Sequence, residues 1–284
     1  MRLATLLPVQ RLCALATVSH AGFYRWRHAL PAADADVDLR DEIQRIALEW
    51  PCYGSRRVKA ELRQRGWAVG RERVQRLMRE DNLLCLRRRK FVVTTDSDHN
   101  RRVYPNVTRD LVLRDINQLW VADITYVRLE TEFVYLAVVT DAFSRRVIGW
   151  ALERSMEDDL TLAALRMALE RRRPSPGLVH HSDRGSQYAS MDYTALLKLH
   201  GCRISMSHKA SPWENAGCES WMKTLKLEEV YRQEYRDAEE ARASIARFIE
   251  KVYNQKRLHS ALGYRPPAEF ERALSAAAGG EARG

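Results

Sequence analysis

The chain has 284 residues, with 47 Lys and Arg against 37 Asp and Glu, a formal net charge of +10. Hydrophobic residues make up 45% of it, enough for a packed interior, so disordered and fibrous classes are excluded. No apolar run approaches the roughly 18 residues of a membrane span, and the positive excess points to a polyanionic partner, nucleic acid first.

Met1 to Ala16 is mildly apolar, but Pro8 and Arg11 interrupt it and no cleavage site follows, so it reads as part of the mature protein. Val9 to Arg27 reads as a small helix–turn–helix with its turn near Thr17–His20. The five cysteines (Cys13, Cys52, Cys85, Cys202 and Cys218) are scattered, with no C-x-x-C pair. That argues against a zinc site or a disulfide framework and for a reducing, cytosolic setting.

Three helices are predicted next. Leu39, Ile43, Ile46, Ala47 and Trp50 have helical spacing, and Pro51 stops that helix. Ser55 caps a second helix to about Arg65, with Val58 and Leu62 on one face and Gly66 as its stop. Arg71–Glu80 repeats the pattern, with Val74, Leu77 and Met78 inward. Residues 54–90 hold thirteen Lys and Arg against four Asp and Glu, nearly the whole excess of the chain. A helix, a short turn and an Arg-covered helix present one helix to a DNA groove. Arg56, Arg57, Lys59, Arg71, Arg73 and Arg76 are the candidate DNA contacts, followed by a phosphate-contacting arm at Arg87, Arg88, Arg89 and Lys90. A solvated basic hairpin is the bland alternative.

Residues 94–112 read as a polar linker. Beyond it the pattern turns to strands at Leu119–Leu129, Phe133–Thr140 and Arg146–Leu152, a meander, then a helix at Leu160–Arg171. A strand at Leu178–Ser182, a helix at Tyr193–His200, a strand at Cys202–Met206 and helices at Asn215–Tyr231 and Ala241–Tyr253 complete an α/β mixed sheet flanked by helices. The expected domains are a small helical segment over 1–35, a basic all-α domain over 36–93, the linker, a catalytic domain over 113–272 and a flexible tail over 273–284.

Asp123 sits in mid-strand among apolar residues, which is costly unless it is paired or bound to a metal. Asp183 ends a strand, where α/β sheets tend to bind ligands. Neighbouring His180 and His181 read as packing groups, and Asp141 as the organiser of a strand turn. On the helix of Glu219, about 100° per residue puts Asn215, Lys223 and Lys226 within about 40° of it, opposite an apolar face. A buried salt bridge, a turn aspartate and a wet helix face are the respective alternatives. Taken together, three carboxylates on two strands and a helix can hold two divalent cations about 4 Å apart, an arrangement suited to in-line phosphoryl displacement. Mg²⁺ fits, since it takes few carboxylates and keeps sites for water and phosphate.

Asp123, Asp183 and Glu219, the last two separated by 35 residues, resemble the D,D-35-E triad of retroviral-type integrases and transposases. The matching segments are Trp120–Tyr126, His181–Tyr188 and Asn215–Trp221, with Lys226 seven residues after the glutamate. Gly22–Trp26, Tyr53–Arg57 and the tail Tyr253-Asn254…Arg257-Leu258-His259-Ser260-Ala261-Leu262-Gly263-Tyr264-Arg265-Pro266-Pro267 also match. On these residues the chain resembles the integrase-core transposases (second open reading frame products) of bacterial insertion sequences of the IS3 family. The resemblance implies an RNase H-like core after a helix–turn–helix region. It also implies hydrolysis at the element's ends and strand transfer, with Asp123, Asp183 and Glu219 as catalytic residues holding two Mg²⁺, for which Mn²⁺ can substitute.

The partners implied are double-stranded DNA (terminal inverted repeats and target), further copies of the chain on that DNA, and an upstream-frame polypeptide as fusion or partner. The expected location is the cytoplasm, on the nucleoid. A non-catalytic regulator of the element and an RNase H-like nuclease without joining activity are the competing functions.

Overall fold

A computed structural model describes residues 8–28, 36–83, 103–109, 111–207 and 216–281. The arm Arg87–Lys90, most of the linker, Cys85 and Asn215 lie outside them. The N-terminal pair, α1 (Val9–Leu15) and α2 (His20–His28), turns where the sequence predicts. α3 (Val37–Glu49), α4 (Ser55–Gln64) and α5 (Arg71–Glu80) form the basic domain. Their apolar faces meet in one core: Leu39, Ile43 and Ile46, then Val58 and Leu62, then Val74, Leu77 and Met78. Gly66 adopts φ +89°, which lets the chain leave α4 sharply.

The second domain is a five-stranded sheet. Its strands are β1 (Leu119–Arg128), β2 (Phe133–Asp141), β3 (Val147–Glu153), β4 (Val179–Ser182) and β5 (Arg203–Met206), in the order β3-β2-β1-β4-β5. The first three are antiparallel, as a meander requires, whereas β4 joins β1 in parallel and β5 joins β4 in parallel. α6 (Asp158–Arg172) and α7 (Met191–Leu199) cover one face, over Trp120, Ala122, Ile148 and Met206. α8 (Ala216–Glu228) and α9 (Ala238–Arg247) cover the other, over Val121, Leu136 and Val138. α6 approaches β3 so closely that a Cβ at Gly149 would lie 2.1 Å from the Ala164 carbonyl oxygen, so this position admits no side chain. No helix among the described residues is long and apolar enough to cross a membrane.

Three boundaries differ from the sequence reading. The C-terminal part of the expected linker lies against the sheet domain, not free of it. The Val107 N–H donates to Ser205 Oγ (3.0 Å), and Tyr104 packs on the core under the Lys198 ammonium. A strap held by two side chains has no periodicity to betray it. Residues 248–253 continue α9 as a π-turn, Phe248–Tyr253, not as α-helix. The tail expected to be flexible from 273 is helical to Glu281 within α10 (Pro267–Glu281). Pro267 suits a first helical position, and the alanine run has high helix propensity.

Glu271 anchors α10. It takes hydrogen bonds from Arg146 (2.6 Å), Ser144 (2.7 Å) and Arg172. Burial works against its charge, but the hydrogen bonds from Arg172, Ser144 and Arg146 outweigh it, and its pKa lies below the usual range. Glu271→Ala removes the acid that pairs the nearly buried Arg172, which should cost about 3 kcal/mol. A denaturant titration at pH 7 measures this, and an unchanged midpoint would assign α10 no part in stability.

Candidate active site

The sheet register builds the site. β1 and β4 pair in parallel at Leu119↔Val179, Trp120↔His180 and Val121↔His181. Carried two residues further, that register sets Asp123 beside Asp183, just where the ladder ends. β1 is also where the sheet changes from antiparallel to parallel pairing, so the two aspartates lie at a topological switch, with Asp183 just beyond the carboxyl end of β4. On its other side, Asp123 faces Val138 of β2.

Each acid has its own support. One Asp123 oxygen accepts the N–H of Ile124 (2.9 Å). Asp183 accepts the N–H of Gly185 (2.9 Å), closing a short turn. The turn is tight at Gly185: a Cβ would lie 3.0 Å from the Asp183 oxygen and 3.2 Å from the Gln187 side-chain oxygen, so either side chain would have to shift by a few tenths of an ångström. Arg184 turns away and donates to the Ser207 carbonyl (2.8 Å). Glu219 stands in the first turn of α8, 3.5 Å from the Lys223 ammonium. Cys218, Trp221, Met222 and Leu225 clamp α8 onto the sheet, which leaves Glu219 on its flank, as helical geometry predicts.

The electrostatics tie the three together. Burial, then the charges of Asp183 and Glu219, push the Asp123 carboxyl up to about 8, against the opposing pull of the Ile124 N–H and the Lys226 ammonium. Lys226 lies 4.6 Å from the centre of the Tyr126 ring, and burial lowers its pKa against the attraction of Asp123. The phenol of Tyr188 is buried with no hydrogen-bond partner among the described residues. Burial, Tyr193, Asp123 and Asp183 all drive its pKa upward. Among the described residues, no three His, Cys, Asp or Glu side chains form a ready-made metal cage. The donor set, all carboxylate oxygen, suits a hard divalent cation.

His180 and His181 are packing groups, as expected, bonded to the Tyr193 hydroxyl (3.0 Å) and Ser205 Oγ (2.9 Å). Asp141 organises the β2–β3 turn, accepting N–H groups from Asn117, Phe143 and Ser144. Tyr188 was not singled out as a site residue. It lies five positions after Asp183, but nothing in its spacing signals that it packs beside the acids. In the basic domain, Arg56, Lys59 and Arg71 are exposed and Arg57 is half-buried. Arg73 and Arg76 both bind Asp36, and Arg76 also holds Glu80 (2.8 Å). Two of the six described candidates in this domain therefore spend part of their charge internally.

The Integrase core domain model matches residues 114–212, a second Integrase core domain model matches 200–267, and the HTH-like domain model matches 34–91. The 31 kDa protein of insertion element IS600 from Shigella sonnei is 39% identical over 264 residues, covering 91% of this chain and 97% of that protein. Transposase InsF of insertion sequence IS3A from Escherichia coli K12 is 34% identical over 269 residues, covering 93% of each. The transposase of element IS629 from Shigella sonnei is 39% identical over 250 residues, covering 88% of this chain and 84% of that one. The HTLV-2 integrase catalytic core, solved with magnesium, aligns with a TM-score of 0.42 at 15% identity, over 55% of this chain and 96% of that one.

An acid that stays protonated to about pH 8 when folded, against 3.8 in the free chain, makes the metal-free fold less stable as pH rises through that interval. Asp123→Asn should therefore stabilise the protein in chelator at pH 8, by about 1–3 kcal/mol. It should also flatten the fall in stability between about pH 5 and pH 8. Chemical denaturation at both pH values tests this, and equal slopes for the two proteins would show that Asp123 is not strained.

Proposed function

Because the chain belongs to the IS3 family of insertion-sequence transposases and is a DDE-type transposase, we propose that it cleaves DNA at the ends of an insertion sequence and joins them to target DNA, with Mg²⁺ as its metal. The observation that carries this reading is the β1–β4 register, which sets Asp123 beside Asp183 at the sheet's switch point, with Glu219 acting on Asp123 from α8.

Asp123, Asp183 and Glu219 would hold the metal. When bound, a divalent pair activates an attacking oxygen and stabilises a leaving one in an in-line displacement. The protein's own part is to fix the carboxylates. The Ile124 and Gly185 amides orient the two aspartates, and the packing of Cys218 and Trp221 holds Glu219 at its height over the sheet. Lys226, close enough to act on Asp123, is suited to a DNA phosphate beside the acids, and exposed Lys223 to the next one along.

The exposed Arg56, Lys59 and Arg71 would contact the duplex from α4 and α5. Two DNA ends need two such sites, which supports self-association on DNA. The terminal repeats, the target and an upstream-frame polypeptide complete the proposed partners.

Asp123→Asn, Asp183→Asn and Glu219→Gln should each cut strand transfer at least about 10³-fold, the range for loss of a group essential to phosphoryl transfer, while the mobility shift on end DNA stays within about twofold of wild type. The assay uses a labelled 3′-OH end and a plasmid target, with and without the upstream polypeptide. Strand transfer retained by any one variant removes that residue from the mechanism. Nicking without joining in the wild type would leave a nuclease.

A further inference from the structure

The tail motif Tyr253…Pro267 is taken up by the joint between the two domains, where Leu258 is buried in the basic domain's core and its N–H donates to the Tyr53 hydroxyl (2.9 Å). The far end of β1, beyond the acids, has no such structural use. The β1–β4 ladder stops at Val121↔His181, while β1 runs on to Arg128. β2 accompanies it as far as Arg128↔Phe133. From Asp123 onward β1 is therefore paired on its β2 edge and clear of β4 on the other.

Side chains alternate along a strand. Val121 and Val127 share the face of Asp123 and pack under α8, whereas Ile124 packs on the other side of the sheet. Tyr126 shares the face of Ile124, and the ladder sets Phe133 opposite Arg128 on that same face. The Phe133 ring stands edge-on to Tyr126 with centroids 5.7 Å apart, and Phe133 is 51% exposed. Lys226 of α8 reaches round the open edge of β1 to place its ammonium 4.6 Å from the centre of the Tyr126 ring.

Tyr231, also 51% exposed, joins them from the short 3₁₀ turn Val230–Arg232 that follows α8. That segment is tied to the β1–β2 hairpin. The Glu130 N–H donates to the Tyr235 carbonyl (3.0 Å), and Val230 and Tyr235 pack with Val127 and Leu129. Burial, then the neighbouring Tyr126, raises the Tyr231 phenol. The acid at the hairpin, Glu132, is engaged by Arg154 (3.1 Å), while Arg128 is exposed. The result is a rim of three aromatic rings and two cations. An apolar partner surface laid on it would bury Lys226 and Arg128 without compensation. A nucleotide outside a duplex matches both features, since its base stacks on an aromatic ring and its phosphate takes a cation.

We propose that Tyr126, Phe133 and Tyr231 form a stacking subsite for one unpaired base of the DNA end, with Lys226 on the phosphate that links this base to the carboxylates. Asp123 and Tyr126 are three residues apart on one strand, about 10 Å, or about three base steps at 3.4 Å each. The base therefore belongs to a nucleotide within about three of the phosphate being cut. It has to leave the duplex to reach the rings, so the DNA end opens locally when it is seated. The inference rests on the proposed DNA chemistry.

The test measures binding of the full chain to end DNA in chelator, so that no cutting intervenes. A single abasic residue is walked across the nucleotides on either side of the cleaved phosphate. At one position it should weaken binding by the wild type about tenfold and by Phe133→Ala less than about twofold, the signature of an interacting pair. Phe133→Trp should keep the abasic penalty, and Phe133→Leu, apolar but without a ring, should lose it. Thermal midpoints verify that these exposed-site variants fold. Equal abasic penalties in the wild type and Phe133→Ala at every position overturn the subsite. So does a full penalty in Phe133→Leu, which would mark a plain apolar contact. Unchanged penalties together with an altered size of the DNA-free Phe133→Ala protein would overturn it too, and assign the face to a second copy of the chain. If the wild type neither cuts nor joins DNA when Mg²⁺ is supplied, the parent reading fails, and the abasic comparison, which needs binding alone, still decides this one.

Discussion

Three carboxylates that repel one another are held together by a backbone that leaves them no choice. The parallel pairing of β1 with β4 fixes Asp123 and Asp183 as neighbours, and the packing of α8 brings Glu219 to them. Burial first, and then the charges of Asp183 and Glu219, push the Asp123 carboxyl up to about 8. Much of the remaining architecture pins this arrangement in place. The Gly149 contact lets α6 press on the sheet, the Asp141 turn fixes the β2–β3 corner, and the Glu271 cluster locks α10 across that corner.

The basic domain solves a different electrostatic problem. Thirteen cations between residues 54 and 90 would drive one another apart. Arg65 gathers Glu42, Glu49 and Glu61, while Arg73 and Arg76 share Asp36. These pairs tie α3 to the two helices behind it and leave Arg56, Lys59 and Arg71 facing outward. A residue type that reads as one uniform basic surface in the sequence therefore divides into internal ties and exposed charges.

That division shows where sequence reasoning works and where it stops. Periodicity found α3, α4 and α5 because each buries one face, and burial writes its period into the residue order, whereas the strands, covered on both faces, showed as apolar and β-branched runs. The 35-residue spacing and the flanking motifs singled out the three acids. Nothing periodic marks the Tyr104–Val107 strap, whose contacts are two isolated side chains. The alanine-rich end reads as slack because its anchor, Glu271, meets Arg146 and Arg172, about a hundred or more residues distant. Tyr188 escapes for the same reason: a buried phenol acquires meaning only from neighbours far along the chain.

Leu258 lends its side chain to the core of a domain that ends some 175 residues earlier in the chain. The helical domain is therefore not a tethered module roaming on segment 84–102. Its orientation is set by a socket, so the distance from α5 to the acids is a property of the scaffold, like a gauge machined in one piece. Lengthening or shortening the connecting segment would leave that gauge unaltered, whereas carving the socket at Leu258 would uncouple it.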